Sequence, residues 1–128
     1  MNKFPYDTTY NPALPVCDVA LTAKPTGQQV KLTAIIDTGA DATIIPVRYL
    51  QQIGARRAIE AGLRSQWGER RTVFLYLVDL QISEITLPGI YVVGDELGAE
   101  AVLGRNVLNR LQILLDGPAQ WMQLLNTA

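Results

Sequence analysis

The sequence predicts an all-β domain built from short antiparallel strands, with little helix. Turn-forming residues recur at short intervals along the 128 residues, which leaves room only for short strands between them. Apolar and polar side chains alternate over residues 30–36 and again over residues 78–82, which is the period of a half-buried strand. Both observations are typical of an antiparallel sheet with one buried face.

Each predicted strand is an apolar stretch bounded by turn residues. The run that begins at Val73 is at first unbroken and then alternates, so its first half is expected to be covered on both faces. The predicted strands cover residues 16–23, 30–36, 73–82, 90–93, 112–116 and 121–125. Two short helices are also expected, one from Pro46 to Ile53 with Gly54 as its cap and one over residues 105–111.

Charge and residue content exclude several classes of function. The 11 Lys and Arg against 12 Asp and Glu leave a net charge of -1, so no basic field attracts nucleic acid or an anionic membrane. The absence of His excludes Ser-His-Asp and Cys-His triads and histidine zinc sites. The single Cys17 excludes an internal disulfide and fits a reducing, cytoplasmic location. Acid–base chemistry therefore has to come from carboxylates, Tyr or Lys.

The chain is long enough for one compact core, so a single domain is predicted over residues 16–128. A polar arm over residues 1–15 precedes it and is expected to be loosely held. Docking on a dimer, removal and disorder all remain open for this arm. No stretch reaches the roughly 20 apolar residues that span a bilayer, so a membrane is not an expected partner. Because the net charge is close to zero, a nucleic acid is not an expected partner either.

Asp37 comes directly after an apolar strand and is followed by a hydroxyl at Thr38 and a glycine at Gly39. The glycine allows a sharp turn, which would present the carboxylate from a rigid support. Taken alone, these residues also fit an ordinary capped hairpin turn. The interpretation therefore depends on a second signal elsewhere in the chain.

That signal is the Gly104-Arg105-Asn106 motif, which follows two aliphatic residues. Together with aliphatic-aliphatic-Asp-Thr-Gly-Ala-Asp it resembles the retropepsins, the retroviral-type aspartic proteases. The resemblance implies a small closed β-barrel that needs two aspartates for activity and carries only one. Since Asp-Thr-Gly occurs once in this sequence, a two-fold symmetric homodimer is expected.

The resemblance also implies roles for the residues of the Asp-Thr-Gly loop. Two copies of Asp37 would share one proton, so that one carboxyl activates water and the other polarises the peptide carbonyl. Thr38 would link the two loops across the dimer, while Gly39 and Asp41 would bind the main chain of the substrate. This chemistry requires no metal and no cofactor.

Supporting roles are implied for four neighbouring positions. Gly104 and Asn106 would support the loop, and Arg105 would be the buried ionic partner of Asp41, because its planar fork can turn onto a carboxylate. The residues themselves leave open a solvated turn acid at position 41 and an exposed cation at position 105. Ala40 stands where pepsin-like proteins carry Ser or Thr, so it donates no hydrogen bond to the neighbouring aspartate. A pH–rate profile centred in the weakly acidic range is therefore expected.

The flap, the hairpin that closes over peptide in retropepsins, corresponds to residues 59–74, with its tip in residues 65–69. It departs from the glycine-rich retroviral flap, because only Gly62 and Gly68 are present and Trp67 stands between them. Trp67 is either a substrate contact or part of the hairpin packing. The arginines at positions 56, 57, 70 and 71 are interpreted as a solvated face.

The predicted function is an aspartic endopeptidase that acts on a peptide or protein substrate. The alternative is a non-catalytic peptide-binding or dimerisation module of the same fold. Metal-dependent hydrolysis through Asp37, Asp41 and Asp95 is disfavoured, because the sequence supplies no spaced set of ligands. Residues 120–125 have the apolar character of the terminal strands that interleave between subunits in retroviral members.

Overall fold

The computed structural model describes residues 2–64, 68 and 70–125, and in these it shows ten strands and two short helices. The predicted flap tip, including Trp67, lies outside the described residues apart from Gly68. In chain order the elements are β1 (Lys3–Pro5), β2 (Val16–Thr22), β3 (Gln29–Ile36), β4 (Ile44–Pro46), α1 (Val47–Gln52), β5 (Arg56–Arg64), β6 (Arg70–Ile82), β7 (Ile85–Asp95), β8 (Ala101–Leu103), α2 (Arg105–Leu108), β9 (Ile113–Asp116) and β10 (Trp121–Leu124).

Six of these strands close into a barrel. Their order is β2-β3-β8-β4-β7-β6, and β6 returns to pair with β2. β5 continues the sheet beyond β6 as the outer strand of a long hairpin. The closed barrel implied by the resemblance is confirmed. The expectation of wholly antiparallel strands is wrong, since β3 runs parallel to β8 and β4 runs parallel to β7.

The core is formed by the apolar side chains on the buried face of each barrel strand. The even-numbered residues of β3 from position 30 to 36 are buried, whereas Lys31 and Thr33 are exposed, as a period of two requires. Leu21, Val78 and Leu103 contribute fully or almost fully buried side chains from three other strands. β3 is thus anchored by its inward side chains up to its last residue.

Both helices are shorter than the sequence predicted. α1 begins directly after Pro46, and the chain turns away at Gly54, whose φ of 66° suits glycine. α2 is a single turn that ends at Leu108. Neither helix of the described part of the chain has the length and apolar character that crossing a bilayer requires.

The N-terminal arm belongs to the fold, so the expectation of a loosely held arm is wrong. β1 pairs antiparallel with β10, and β10 pairs with β9, which gives a second sheet of three strands. Phe4 and Tyr6 pack against the core, and the Pro15 carbonyl accepts the Ile36 N–H at 3.0 Å. Phe4 and Tyr6 stand two residues apart, a pattern too short to predict a strand, and the residues they pack against come from distant parts of the chain.

A side-chain contact also ties the arm to the segment before β8. The Tyr10 hydroxyl donates to the Glu100 carboxylate, and this hydrogen bond raises the pKa of Tyr10. Asp7 and Leu14 form an isolated antiparallel bridge that closes the intervening loop. The loop between Asp7 and Leu14 is therefore closed by the bridge at its two ends and fixed at Tyr10 by the contact with Glu100.

Cys17 lies on β2 with 0% exposure, and burial raises the pKa of its thiol to about 12. Because the thiolate is the reactive species, we expect the native thiol to resist Ellman's reagent at about pH 8 and the urea-unfolded thiol to react fully. The pKa is higher in the folded state, so this contribution to stability is complete below the unfolded pKa of about 8.5 and is lost as pH rises towards 12. A native thiol that reacts as fast as the unfolded one would contradict this burial.

Candidate active site

Asp37 is the residue immediately after β3, and its side chain is exposed. The preceding Ile36 is only 7% exposed and is anchored in the core. The Asp37 N–H donates to the Leu103 carbonyl at 3.1 Å, which joins the start of the loop to the end of β8. The carboxylate is therefore exposed to solvent, while the main chain that carries it is fixed by the buried Ile36 and by the hydrogen bond to Leu103.

The turn after Asp37 is closed by the aspartate itself. The Gly39 N–H donates to Asp37 Oδ1 at 2.9 Å, and the Ala40 N–H donates to the Asp37 carbonyl at 3.2 Å. A Cβ at Gly39 would lie 3.1 Å from Oδ1, closer than ordinary van der Waals contact. Because glycine has no Cβ, its N–H can bind one carboxylate oxygen of Asp37 without a steric clash.

The Gly-Arg-Asn motif packs against this loop. Gly104 is buried, and a Cβ there would lie 2.2 Å from the Ala42 carbonyl oxygen. The Arg105 N–H donates to the Ala40 carbonyl at 2.8 Å. The structure therefore brings the two sequence motifs into direct main-chain contact, which their separation in the sequence does not reveal.

Thr43 connects the two motifs through its side chain, a role that the sequence analysis missed. Its fully buried hydroxyl donates to Asn106 Oδ1 at 2.7 Å and accepts the Gly104 N–H at 3.1 Å. Asn106 in turn donates to the Tyr91 carbonyl at 3.0 Å. The sequence did offer a signal, because Thr43 places a hydroxyl beside an apolar run. A polar group that becomes buried there requires a hydrogen-bond partner. Asn106 therefore joins Thr43 to β7 through its side chain.

Among the described residues of this single chain, Arg105 and Asp41 do not form the predicted ion pair. Both residues are exposed, and Arg105 Nη1 donates instead to the Thr38 carbonyl at 2.9 Å. The main-chain bond from Arg105 to Ala40 brings its side chain within reach of this carbonyl, while an exposed Asp41 carboxylate is solvated and needs no ionic partner. Arg105 therefore contacts the loop at the Thr38 carbonyl and not at Asp41.

Because Arg105 is exposed, Arg105→Ala is expected to lower the free energy of unfolding by about 1 kcal/mol. Loss of a buried ionic partner would cost about 3 kcal/mol or more. Urea denaturation measures the difference, and Arg110→Ala, at another exposed arginine just after α2, is the control and should stay within about 0.5 kcal/mol. A loss above about 3 kcal/mol for Arg105→Ala would show that its charge is buried after all.

Of the other two acids of the metal-site alternative, Asp41 lies on the same loop as Asp37, whereas Asp95 lies at the end of another strand. Asp95 ends β7, and its Oδ1 accepts the Leu97 N–H at 2.9 Å. Within residues 2–64, 68 and 70–125, no three metal-ligating side chains form a group.

A long hairpin occupies the segment assigned to the flap. β5 and β6 pair from Arg56 opposite Leu77 to Arg64 opposite Arg70. The guanidinium of Arg57 lies 3.9 Å from the ring centroid of Phe74, a cation–π contact. Closure of this hairpin over a peptide stays a prediction.

The hairpin also borders a cavity of about 160 Å³. Val73 and Phe74 line it on the hairpin side, and Glu96 and Leu97 line it from the loop after β7. The Leu97 side chain is 82% exposed. The cavity therefore has walls of mixed polar and apolar character from two separate parts of the chain.

Comparisons with solved structures agree with this architecture. EIAV protease complexed with an inhibitor is 17% identical, with a TM-score of 0.58, over 76% of this chain and 86% of that one. A retropepsin-like aspartic protease from Rickettsia conorii is 18% identical, with a TM-score of 0.56, over 85% of this chain and 90% of that one. The retroviral protease-like domain of Ddi1 from Leishmania major is 18% identical, with a TM-score of 0.52, over 89% of this chain and 91% of that one. These likenesses confirm the predicted retropepsin-like fold.

The sequence comparisons concern the family. No curated protein matches the sequence. Residues 23–110 match the model of the family described as "gag-polyprotein putative aspartyl protease". This match includes both the Asp-Thr-Gly and the Gly-Arg-Asn motifs and covers well over half of the sequence. The chain therefore belongs to the gag-polyprotein aspartyl protease family.

Proposed function

We propose that this protein is an aspartic endopeptidase that hydrolyses peptide bonds as a homodimer, with Asp37 of each copy forming the catalytic pair. The observation that carries the proposal is the Asp37 carboxylate, which is exposed, oriented by Gly39 and supported by the Gly-Arg-Asn motif. One chain supplies one such carboxylate, since Asp-Thr-Gly occurs once in the sequence. A second copy is therefore part of the proposed active site.

Two Asp37 carboxyl groups that face each other would hold one proton between them, because two like charges at short range repel strongly. The ionised carboxylate accepts a proton from a water molecule as the water oxygen attacks the peptide carbonyl carbon. The protonated carboxyl donates a hydrogen bond to the carbonyl oxygen. When the C–N bond of the tetrahedral intermediate breaks, a proton passes to the leaving amine and the pair again shares one proton.

The fixed turn supports the roles proposed for its other residues. The Thr38 side chain is exposed beside a carbonyl that Arg105 holds, so it is available to its symmetry mate. Gly39 and the exposed Asp41 follow on the same loop and are proposed to bind the substrate main chain. Trp67 stays a predicted substrate contact outside the described residues. A cytoplasmic location likewise stays a prediction from the lone Cys17.

The alternative is a non-catalytic peptide-binding module of the same fold. Sedimentation combined with digestion of a peptide library, with and without pepstatin, separates the two. We expect a concentration-dependent dimer that cleaves peptides at about pH 5 to 6 and is inhibited by pepstatin. A dimer that binds peptides but cleaves none between about pH 3 and 7 would establish the module instead.

A further inference from the structure

The β7–β8 loop (residues 96–100) lies between two parts of the candidate site. At its start, Glu96 and Leu97 line the cavity beside β6 of the hairpin. At its end, the loop leads into β8, whose Leu103 carbonyl accepts the Asp37 N–H. All five residues of the loop are exposed, and none of them belongs to a helix or a strand. The position of such a loop depends on the few contacts that tie it to the rest of the fold.

Two hydrogen bonds to side chains hold this loop within the described part of the chain. The Leu97 N–H donates to Asp95 Oδ1 at 2.9 Å, which is a local bond to the end of β7. The Tyr10 hydroxyl donates to the Glu100 carboxylate from a position 90 residues away in the sequence. The second bond therefore ties the loop to a different part of the fold, the N-terminal arm.

Tyr10 is itself presented by a closed turn, the arm loop (residues 7–14). Asp7 and Leu14 exchange two main-chain hydrogen bonds, at 2.8 and 3.1 Å. Asp7 Oδ1 also accepts the Thr9 hydroxyl at 2.6 Å and the Thr9 N–H at 2.9 Å, and these bonds hold the pKa of Asp7 below its ordinary value. The half-buried Tyr10 follows directly. Its ring is therefore carried by an ordered turn and not by a free chain end.

The arm loop and the β7–β8 loop border a cavity of about 150 Å³. Asp7 and Tyr10 line it on the arm side, Ala99 and Glu100 line it on the other side, and Thr33 lines it from β3. A gap of this size reduces direct packing between the two loops. The hydrogen bond from Tyr10 to Glu100 therefore accounts for a larger share of the contact between them.

We propose that Tyr10 is a positioning residue of the protease, and that its hydroxyl holds the β7–β8 loop in place opposite the hairpin. This inference rests on the proposed function, in which the hairpin closes over a peptide. A loose loop would occupy the binding-competent position for only part of the time, and the apparent affinity for the peptide would fall by that fraction. The Asp37 turn is held separately by Gly104 and Thr43, so the chemical step does not depend on Tyr10.

Tyr10→Phe tests the proposal, because it keeps the ring and removes the hydroxyl. We expect KM to rise about fivefold while kcat stays within about twofold of the wild type. Tyr49→Phe is the matched control, since its hydroxyl accepts a hydrogen bond from Arg48 at 3.0 Å on α1, and its KM should stay within about twofold. The urea midpoint of Tyr10→Phe should match that of the wild type. A lowered midpoint with an unchanged KM would make Tyr10 a purely structural residue and overturn the proposal.

A double-mutant cycle identifies Glu100 as the partner of Tyr10. Glu100→Ala removes the acceptor, so this variant, Tyr10→Phe and the double variant should all show the same increase in KM. Glu84→Ala, at an exposed acid between β6 and β7, is the control and should leave KM unchanged. An increase of about 25-fold in the double variant would mean that the two residues act independently, which overturns the contact as the cause.

The mobility of the loop can be measured without any substrate. NMR order parameters of the amides of residues 96–100 should fall from about 0.85, typical of rigid backbone, to below about 0.6 in Tyr10→Phe. The same amides should keep their order parameters in Tyr49→Phe. Unchanged order parameters in Tyr10→Phe would overturn the proposed role of its hydroxyl.

The two proposals fail in different ways. An active protease in which Tyr10→Phe changes neither KM nor the order of the loop overturns the role of Tyr10 and leaves the protease in place. A parent protein that cleaves no peptide, but whose loop becomes mobile in Tyr10→Phe, overturns the protease and leaves the tie between the arm and the loop in place.

Discussion

Asp37→Asn is expected to abolish peptide cleavage, with a fall in kcat/KM of about 10⁴-fold, and to leave the fold and the dimer intact. Asparagine is nearly isosteric, and its Oδ1 can still accept the Gly39 N–H that orients the wild-type side chain. It cannot take a proton from water at the pH of the reaction, so the proposed base is lost from both copies. Initial rates on a peptide identified from the library digest measure the effect, and sedimentation checks the dimer.

Asp18→Asn is the matched control for this variant. Asp18 is an exposed acid on β2 whose Oδ1 accepts a hydrogen bond from the Thr33 hydroxyl at 3.0 Å, away from the Asp-Thr-Gly loop. Its replacement should leave kcat/KM unchanged within about twofold. Purified Asp37→Asn with activity near that of the control would place the chemistry at another residue.

Gly104→Ala is expected to lower the free energy of unfolding by about 3 kcal/mol and to impair activity as well. The added Cβ would lie 2.2 Å from the oxygen, 2.4 Å from the carbon and 2.9 Å from the nitrogen of the Ala42 main chain. Backbone atoms cannot rotate aside as a flexible side chain does, so either β8 or the Asp37 loop must shift. That shift also strains the hydrogen bond from Gly104 to Thr43.

Gly62→Ala is the control for the added methyl group. Gly62 lies on β5, and a Cβ there would meet no heavy atom within 4 Å. Urea denaturation of this variant should give a free energy of unfolding within about 0.5 kcal/mol of the wild type. Equal stability of Gly104→Ala and Gly62→Ala would mean that the two motifs are not packed as closely as described.

The strands with long alternating patterns were predictable, because their signal is local. Residues 30–36 and 78–82 bury one face each, and that requirement is visible in the order of apolar and polar residues. The short strands β4 and β8 have only three residues each and were missed. Their parallel pairing depends on partners supplied by distant parts of the chain, and no local pattern encodes such pairing.

The candidate site likewise has some features that the sequence predicts and others that depend on the tertiary structure. Asp37, Thr38 and Gly39 are contiguous, so the sequence by itself determined that a carboxylate follows a buried strand and enters a glycine turn. Only the tertiary structure decided what holds that turn: the buried Thr43 hydroxyl, the close approach of Gly104 to Ala42, and the contact of Arg105 with Thr38 in place of Asp41.

The same distinction applies to the chain ends. The sequence showed a polar arm and an apolar tail, but their pairing as β1 and β10 joins residues from opposite ends of the chain. The stability of such a pairing comes from shared burial and main-chain hydrogen bonds, which exist only once both strands are in place. Composition and periodicity describe what each segment can bury, whereas the partner that covers it is chosen by the packing of the whole fold.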